Sequence, residues 1–176
     1  AHAHDGQLIQ QCGAGLLPIR VEGKGAAREL FVRAPGARIV REGGDDASLR
    51  AALGFQPLGA LAPALVDGGR RWWIAEFADE AAVRSWQPNH AAIKALARAD
   101  ACMGLCVFAR CKNPDYDCFG RSGPSGAGSG EDPASGAANG LIAAHIAQAE
   151  PDGELARGYR VSQGREMGHD AALAVR

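Results

Sequence analysis

The fold of this chain is decided by residues 131–149, which read Glu-Asp-Pro-Ala-Ser-Gly-Ala-Ala-Asn-Gly-Leu-Ile-Ala-Ala-His-Ile-Ala-Gln-Ala. From Ser135 onward this pattern predicts a helix, because serine is a favoured N-terminal cap and a run of apolar residues follows it. With His145 taken as neutral, residues 134–149 carry no charge, and apolar side chains lie almost all the way around the helix. Such a helix requires burial on every side. We therefore expect a buried central helix at about 135–149.

The first turn of this helix is a candidate anion-binding site. The small residues Ser135, Gly136 and Ala137 leave backbone N–H groups open to a ligand. These donors, together with the helix dipole, bind carboxylate or phosphate. Glu131 and Asp132 stand immediately before the turn. Acidic side chains at that position either cap the helix or move protons, and the local sequence favours capping while leaving proton transfer open.

The rest of the chain alternates strand and helix patterns without an internal repeat, which indicates an α+β or α/β class. Glycine-containing turns and β-branched or aromatic runs predict strands, and Asp or Asn caps predict helices. The predicted strands are 7–12, 16–22, 29–33, 71–77 and 101–110, and the predicted helices before the central one are 47–53, 79–86 and 90–99.

Composition excludes several classes of protein. The 176 residues include 19 Lys and Arg against 20 Asp and Glu, so a net charge of −1 argues against a general nucleic-acid binder. No apolar run reaches the roughly 18–20 residues of a membrane span, and no secretion signal opens the chain. We expect a cytoplasmic protein that binds neither nucleic acid nor membrane.

Five cysteines raise the question of a metal site. Four of them lie between 102 and 118, but paired zinc knuckles are missing, so we interpret these thiols as buried or incidental and expect no metal. The glycine- and serine-rich segment 122–130 is typical of a flexible loop, since no phosphate-binding motif accompanies it.

Three segments together resemble the phenazine-biosynthesis-like (PhzF) isomerase family. The segment 131–140 is similar to the family's E-D-P-A-T-G-S-A-x-G signature, and 161–168, Val-Ser-Gln-Gly-Arg-Glu-Met-Gly, is similar to its S-Q-G-x-x-M-G-R motif. The segment 11–18, Gln-Cys-Gly-Ala-Gly-Leu-Leu-Pro, resembles a family hairpin. Arg121 and Gly128 match the stretch that leads into the signature.

The resemblance implies a diaminopimelate-epimerase-like fold, in which each of two lobes wraps a mixed sheet around a central helix. We expect residues 34–176 to form the second lobe, with its last strands truncated, and residues 1–33 to belong to or border the first lobe. The match covers only the later part of the family. The resemblance therefore implies that the chain as given is an incomplete catalyst, and that it forms a homodimer or pairs with a first-lobe segment.

The resemblance also implies the chemistry, which in this family is cofactor-independent proton transfer on a small carboxylate-containing substrate. By motif position Asp132 is the acid/base or substrate-orienting group. Ser135, Gly136 and Ala137 form the substrate-binding turn, and the N–H groups of Gly136 and Ala137 face the substrate carboxylate. Because no thiol stands at Ser135, the chain is not a two-cysteine racemase.

Departures from the family pattern leave other interpretations of the function open. Gly123 and Ser125 replace a phenylalanine and a proline of the family, Ala137 replaces a carboxylate-binding serine, and His169 replaces an arginine. The glycine-serine segment is then an eroded strand. Two alternatives to the isomerase are a non-catalytic protein of the same descent, which binds small anions or a partner, and an unrelated domain whose acidic residues merely cap a helix. His145 is expected to be a hydrogen-bonded core histidine.

Overall fold

The computed structural model of the chain describes residues 2–4, 7–12, 15–123 and 131–176. The chain divides into two compact units, 1–36 and 37–176. The assignment of the opening residues to a first lobe stays a prediction.

The first unit is a four-stranded antiparallel sheet, in which neighbouring strands follow one another along the chain. The hairpin predicted between 7 and 22 is confirmed, although its turn residues Gly13 and Ala14 lie outside the described part. The strands are β1 (His2–His4), β2 (Gln7–Cys12), β3 (Gly15–Glu22) and β4 (Glu29–Val32).

The second unit is built on a mixed seven-stranded sheet with the order β11-β10-β9-β8-β7-β6-β5. The pairs β7/β8 and β9/β10 are parallel, and the other neighbours are antiparallel. Its strands are β5 (Arg38–Glu42), β6 (Ala64–Asp67), β7 (Arg71–Glu76), β8 (Leu105–Arg110), β9 (Cys118–Gly123), β10 (Tyr159–Gln163) and β11 (Ala171–Val175). Its helices are α1 (Ala47–Leu53), α2 (Glu80–Ser85), α3 (His90–Ala99) and α4 (Gly136–Ala149).

Side-chain caps start α1, α2, α3 and α4. The sequence predicted the caps of α1, α3 and α4, whereas Asp79, expected as the first residue of its helix, is the cap of α2. Asp46, Asp79, Asn89 and Ser135 each accept a hydrogen bond from the backbone N–H three residues later. Gly54 ends α1 in the left-handed conformation, with φ +68°.

The strand predicted at 101–110 starts later than expected, at Leu105. The apolar run suggested one continuous strand, but the preceding helix uses the first residues of that run. The N–H of Cys102 donates to the carbonyl of Ala97, and Ala101 has φ +48°, so these residues close α3 and turn the chain.

The central helix is confirmed, and the sheet curls around it. Helix α4 contacts β5 and β11, which are the two edge strands of the sheet, as well as β6 and β7. None of the ten residues 138–147 is exposed. This is the burial that an uncharged helix requires.

The sheet separates two apolar clusters. Helix α4 packs on one face, where Cys106, Cys118 and Val161 lie, and α1–α3 pack on the other face around Trp73 and Trp86. Ser122 and Gly123 end β9, whereas 124–130 lie outside the described residues, so the loop and eroded-strand readings of that segment stay predictions. No helix in the described ranges is long and apolar enough to cross a bilayer.

Candidate functional site

The N-terminus of α4 presents backbone donors to its surroundings. Ser135 is buried, and its Oγ accepts a hydrogen bond from the N–H of Ala138 at 3.3 Å. The next two residues, Gly136 and Ala137, are exposed. Within the described ranges, no acceptor bonds either of their N–H groups. The helix end therefore has the free donors that an anion needs.

Asp132 lies in the loop immediately before this helix end, and its side chain is exposed. Its backbone is held in an isolated bridge to Ser122, with the N–H of Asp132 donating to the Ser122 carbonyl at 3.2 Å. Its carboxylate Oδ1 accepts a hydrogen bond from the N–H of Ala134 at 3.1 Å. The carboxylate thus stabilises the turn before α4, whereas Ser135 caps the helix itself.

Glu131 has a different role from its neighbour. Its carboxylate forms a bidentate pair with the Arg121 guanidinium, both oxygens lying 2.7 Å from the nitrogens. The two side chains are 10% and 7% exposed, and Arg121 also donates to the carbonyls of Val83 and Trp86. Glu131 is therefore engaged in a buried ion pair, which makes it a poor substitute for Asp132 as a proton carrier.

Gln163, at the end of β10, is buried beneath the loop and is only 2% exposed. Its Nε2 donates to the carbonyl of Asp132 at 2.7 Å and to the Ser122 hydroxyl at 3.1 Å. Its Oε1 accepts from Asn139 Nδ2 at 2.9 Å and from the N–H of Ser135 at 3.4 Å. One side chain thus joins β9, the acidic loop and the first turns of α4.

Gly164 brings the backbone after β10 against the same loop. A side-chain carbon at this position would lie 2.6 Å from the carbonyl oxygen of Pro133, and φ is +89°. Both features require glycine, since other residues would clash and rarely adopt this conformation. The same carbon would lie 3.2 Å from the Cβ of His169, so the exposed His169 stands beside the loop as well.

The remaining candidates are core residues. His145 is 3% exposed, and its Nε2 lies 3.0 Å from the carbonyl of Ala62, which confirms a hydrogen-bonded core histidine. Burial raises the pKa of the Cys111 and Cys118 thiols to about 12, so both are protonated at neutral pH. Among the described residues no group of His, Cys, Asp and Glu side chains could hold a metal ion.

The structure therefore brings Asp132, Ser135, Gly136 and Ala137 together in one short segment. The carboxylate can exchange a proton with a bound molecule, and the free N–H groups can hold a carboxylate of that molecule. Sequence reasoning did not assign a role to Gln163 or Asn139, which lie under this segment. The 161–168 motif contains Gln163 and could have indicated its importance. Its hydrogen-bond partners could not be predicted, because they lie 24 to 41 residues away along the chain.

A family model described as phenazine biosynthesis-like protein matches residues 2–176. This chain belongs to the phenazine biosynthesis-like family. The resemblance on which the fold was predicted is thereby confirmed. No curated protein matches the chain.

Solved structures share the fold of this chain. A PhzF family protein from Bacillus anthracis superimposes with a TM-score of 0.79 at 20% identity, and the match covers 98% of this chain and 60% of that protein. A predicted epimerase from Pseudomonas aeruginosa gives 0.73 at 17% identity, covering 97% and 58%. These likenesses confirm the diaminopimelate-epimerase-like fold. The chain spans about three fifths of the length of these relatives.

Proposed function

We propose that this chain contributes the Asp132 side of an active site in a cofactor-independent isomerase that transfers a proton on a small carboxylate substrate. The observation that carries the proposal is the exposed Asp132 carboxylate in the loop that leads into the free N–H groups of Gly136 and Ala137. Family membership and the epimerase-like fold support an isomerase-type or epimerase-type activity.

Each residue has a distinct part in this reaction. The N–H groups of Gly136 and Ala137 bind the substrate carboxylate with the aid of the helix dipole, and the buried Ser135 holds the first turn in place. Asp132 accepts or returns the proton at the neighbouring carbon. General acid/base catalysis of this kind contributes about 10²–10⁴ in rate when the group lies within hydrogen-bond reach of the moving proton.

An isomerisation also needs a group on the opposite side of the substrate. In the described part of the chain, the neighbouring carboxylate of Glu131 is paired with Arg121 and does not supply it. We propose that the opposing acid or base comes from a segment or chain that covers this site. Turnover then requires both parts.

A second candidate function is non-catalytic binding of small anions. It is favoured by the Asp132 Oδ1 contact with the Ala134 N–H, which gives this carboxylate a structural use without any proton transfer. Under this alternative the helix end still binds a carboxylate, but Asp132 never exchanges a proton with it.

The isomerase proposal is tested by incorporation of solvent deuterium into a small amino acid, at the carbon next to its carboxylate. We expect exchange when the chain is combined with a first-lobe segment, and a loss of about 10²–10⁴ in rate in Asp132→Asn. The matched control is Asp152→Asn, the same change at an exposed acid after the other end of α4. Equal exchange by Asp132→Asn and the control would remove Asp132 from the mechanism, whereas no exchange by the wild type or either variant would leave anion binding as the better account.

Binding of a dicarboxylate to the same variants is a second test, in which Asp132→Asn should raise the affinity although it lowers the exchange rate. The negative charge of Asp132 repels an anion at the helix end, so Asp132→Asn should bind malonate more tightly than the wild type. Titration of the Gly136 and Ala137 amide resonances measures this. Weaker binding by Asp132→Asn would contradict the placement of the carboxylate beside the anion.

A further inference from the structure

The Ser-Gln-Gly motif at 162–164 has no part in the proposed chemistry, yet its central side chain lies directly under the site. Gln163 uses both amide hydrogens and both lone-pair directions of its carbonyl oxygen within the protein, with partners at 2.7, 2.9, 3.1 and 3.4 Å. A buried amide with every hydrogen-bonding position satisfied is rigid.

The orientation of the Gln163 amide is fixed by the nature of its partners. The N–H of Ser135 can only donate, and the carbonyl of Asp132 can only accept. Asn139 donates its Nδ2 to the Ser135 carbonyl at 2.9 Å, which orients that amide and leaves it to donate to Gln163 as well. A flipped Gln163 would place donor against donor and acceptor against acceptor.

These contacts hold both ends of the loop 132–135, which leads into the N-terminus of α4. Gln163 binds the carbonyl of Asp132 at the start and the N–H of Ser135 at the end, and Gly164 approaches Pro133 between them. Upstream of the segment, the Glu131–Arg121 pair anchors the chain. The Asp132 carboxylate and the donors of the first helical turn remain the outward-facing groups.

We propose that Gln163 is a positioning residue, which sets the distance between the Asp132 carboxylate and the anion-binding N–H groups by clamping the loop between them. The effect of the clamp on the site rests on the proposed function. The clamp itself rests only on the hydrogen bonds that Gln163 makes to both ends of the loop. Since the productive placement of catalytic groups tolerates only a fraction of an ångström, loosening one end of the loop separates the two halves of the site.

Gln163→Glu is the sharpest variant, because it keeps the shape of the side chain. An ionised glutamate has no donor for the Asp132 carbonyl, whereas the Ser122 hydroxyl can rotate and donate to it. Gln163→Met serves as a second variant of similar length that introduces no charge. We expect malonate to bind either variant about tenfold more weakly than the wild type, which corresponds to about 1.4 kcal/mol. The cause is that the loosened loop no longer holds the first turn of α4 and its N–H donors in place, and this loss exceeds the relief of repulsion from Asp132.

The control is Glu76→Gln, the reverse exchange of carboxylate and amide in another buried side chain. Glu76 is 4% exposed and accepts hydrogen bonds from the N–H of Leu61 and from Arg110, away from the acidic loop. This variant should lose stability, because the buried Glu76 no longer forms an ion pair with the half-buried Arg110, but its malonate affinity should equal that of the wild type. A purely structural role for Gln163 would give the same pattern in both variants.

The experiment measures malonate affinity from the amide resonances of the folded chain, together with hydrogen exchange at Ala134 and Ala138. Affinity lost in the Gln163 variants and retained in Glu76→Gln supports the clamp, and unchanged affinity overturns it. If the wild type binds no dicarboxylate, the proposed function fails, and hydrogen exchange alone decides the clamp. Exchange at Ala134 and Ala138 that accelerates in the Gln163 variants but not in Glu76→Gln then supports it, and unchanged exchange refutes it.

Discussion

At the scale of single residues, the buried pair of Arg121 and Glu131 gives two neighbouring acids different surroundings. Two acids adjacent in sequence have opposite surroundings, since Glu131 is 10% exposed and paired while Asp132 is exposed. The pair also joins β9 to the carbonyls at the end of α2 through Arg121. Its charge is thereby neutralised, and Asp132 is left as the outward-facing acid of the loop.

Glu131→Gln should destabilise the fold by about 3 kcal/mol, because it leaves the buried Arg121 guanidinium without its counter-charge. Urea unfolding of the variant and the wild type measures the difference. Asp170→Asn is the control, since it breaks the exposed Arg165–Asp170 pair and should leave stability nearly unchanged. A similar small effect for both variants would show that the buried pair contributes little.

His145 makes stability depend on pH. Burial lowers the pKa of this imidazole below its ordinary value of 6.5, although the hydrogen bond to Ala62 and the negative charges of Glu76 and Glu42 act in the opposite direction. Between the folded and unfolded pKa values the unfolded chain binds more protons. The stabilising contribution is therefore complete above pH 6.5 and is lost as pH falls below it.

The expected outcome is a fall in the free energy of unfolding of the wild type between about pH 7 and about pH 5 that His145→Gln lacks. Glutamine can still donate to the Ala62 carbonyl and does not titrate, so the difference between the two profiles isolates the histidine. Parallel profiles would mean that protonation of His145 does not affect folding.

At this scale the sequence could predict only interactions between residues that are close together along the chain. Ser135 was identifiable as a cap, because a cap and its partner are three residues apart. The role of Gln163 was hidden, because its partners Ser122 and Asp132 come beside it only when β9 and β10 pair. The pairing of Glu131 with Arg121 was also hidden, because the two residues meet where Asp132 bridges Ser122 on β9. This pairing distinguishes Glu131 from Asp132, the acid that the motif position favoured.

At the scale of elements, the sequence predicted α4 best, and among the predicted strands it placed the start of β8 least well. An uncharged helix has one physical solution, which is burial, whereas an apolar run after a helix can close that helix or begin a strand. The run at 101–110 does both, and the positive φ at Ala101 marks the division. Periodicity alone carries no information about such a division.

Ile146→Ala should destabilise the fold by about 2–5 kcal/mol, because Ile146 is 0% exposed and a cavity would remain between α4 and the sheet. Val40→Ala on the edge strand β5 is the control, since Val40 is 42% exposed and its truncation removes little buried surface. Thermal unfolding of both variants measures the contrast. A cost for Ile146→Ala no larger than that of Val40→Ala would contradict the central position of α4.

At the scale of the whole molecule, the small sheet of the first unit has one apolar face. Residues paired across β3 and β4 share a face, so Val21 and Leu30 lie on the same side as Ile19 and Val32. Val21, Leu30 and Val32 are 37%, 53% and 48% exposed. A contiguous exposed apolar surface of this kind typically marks an interaction site. We propose that a second copy of the chain covers it.

Sedimentation equilibrium tests this proposal with two matched substitutions. Leu30→Thr lies on the apolar face and should weaken self-association by at least about tenfold, since burying a leucine is worth roughly 1.5–3 kcal/mol. Leu16→Thr is the control, because Leu16 is 66% exposed but lies on the opposite face of the same sheet. The association should be concentration-dependent in the wild type and in Leu16→Thr. Equal weakening by both substitutions, or a wild type that stays monomeric, would show that this face is not an interface between copies of the chain.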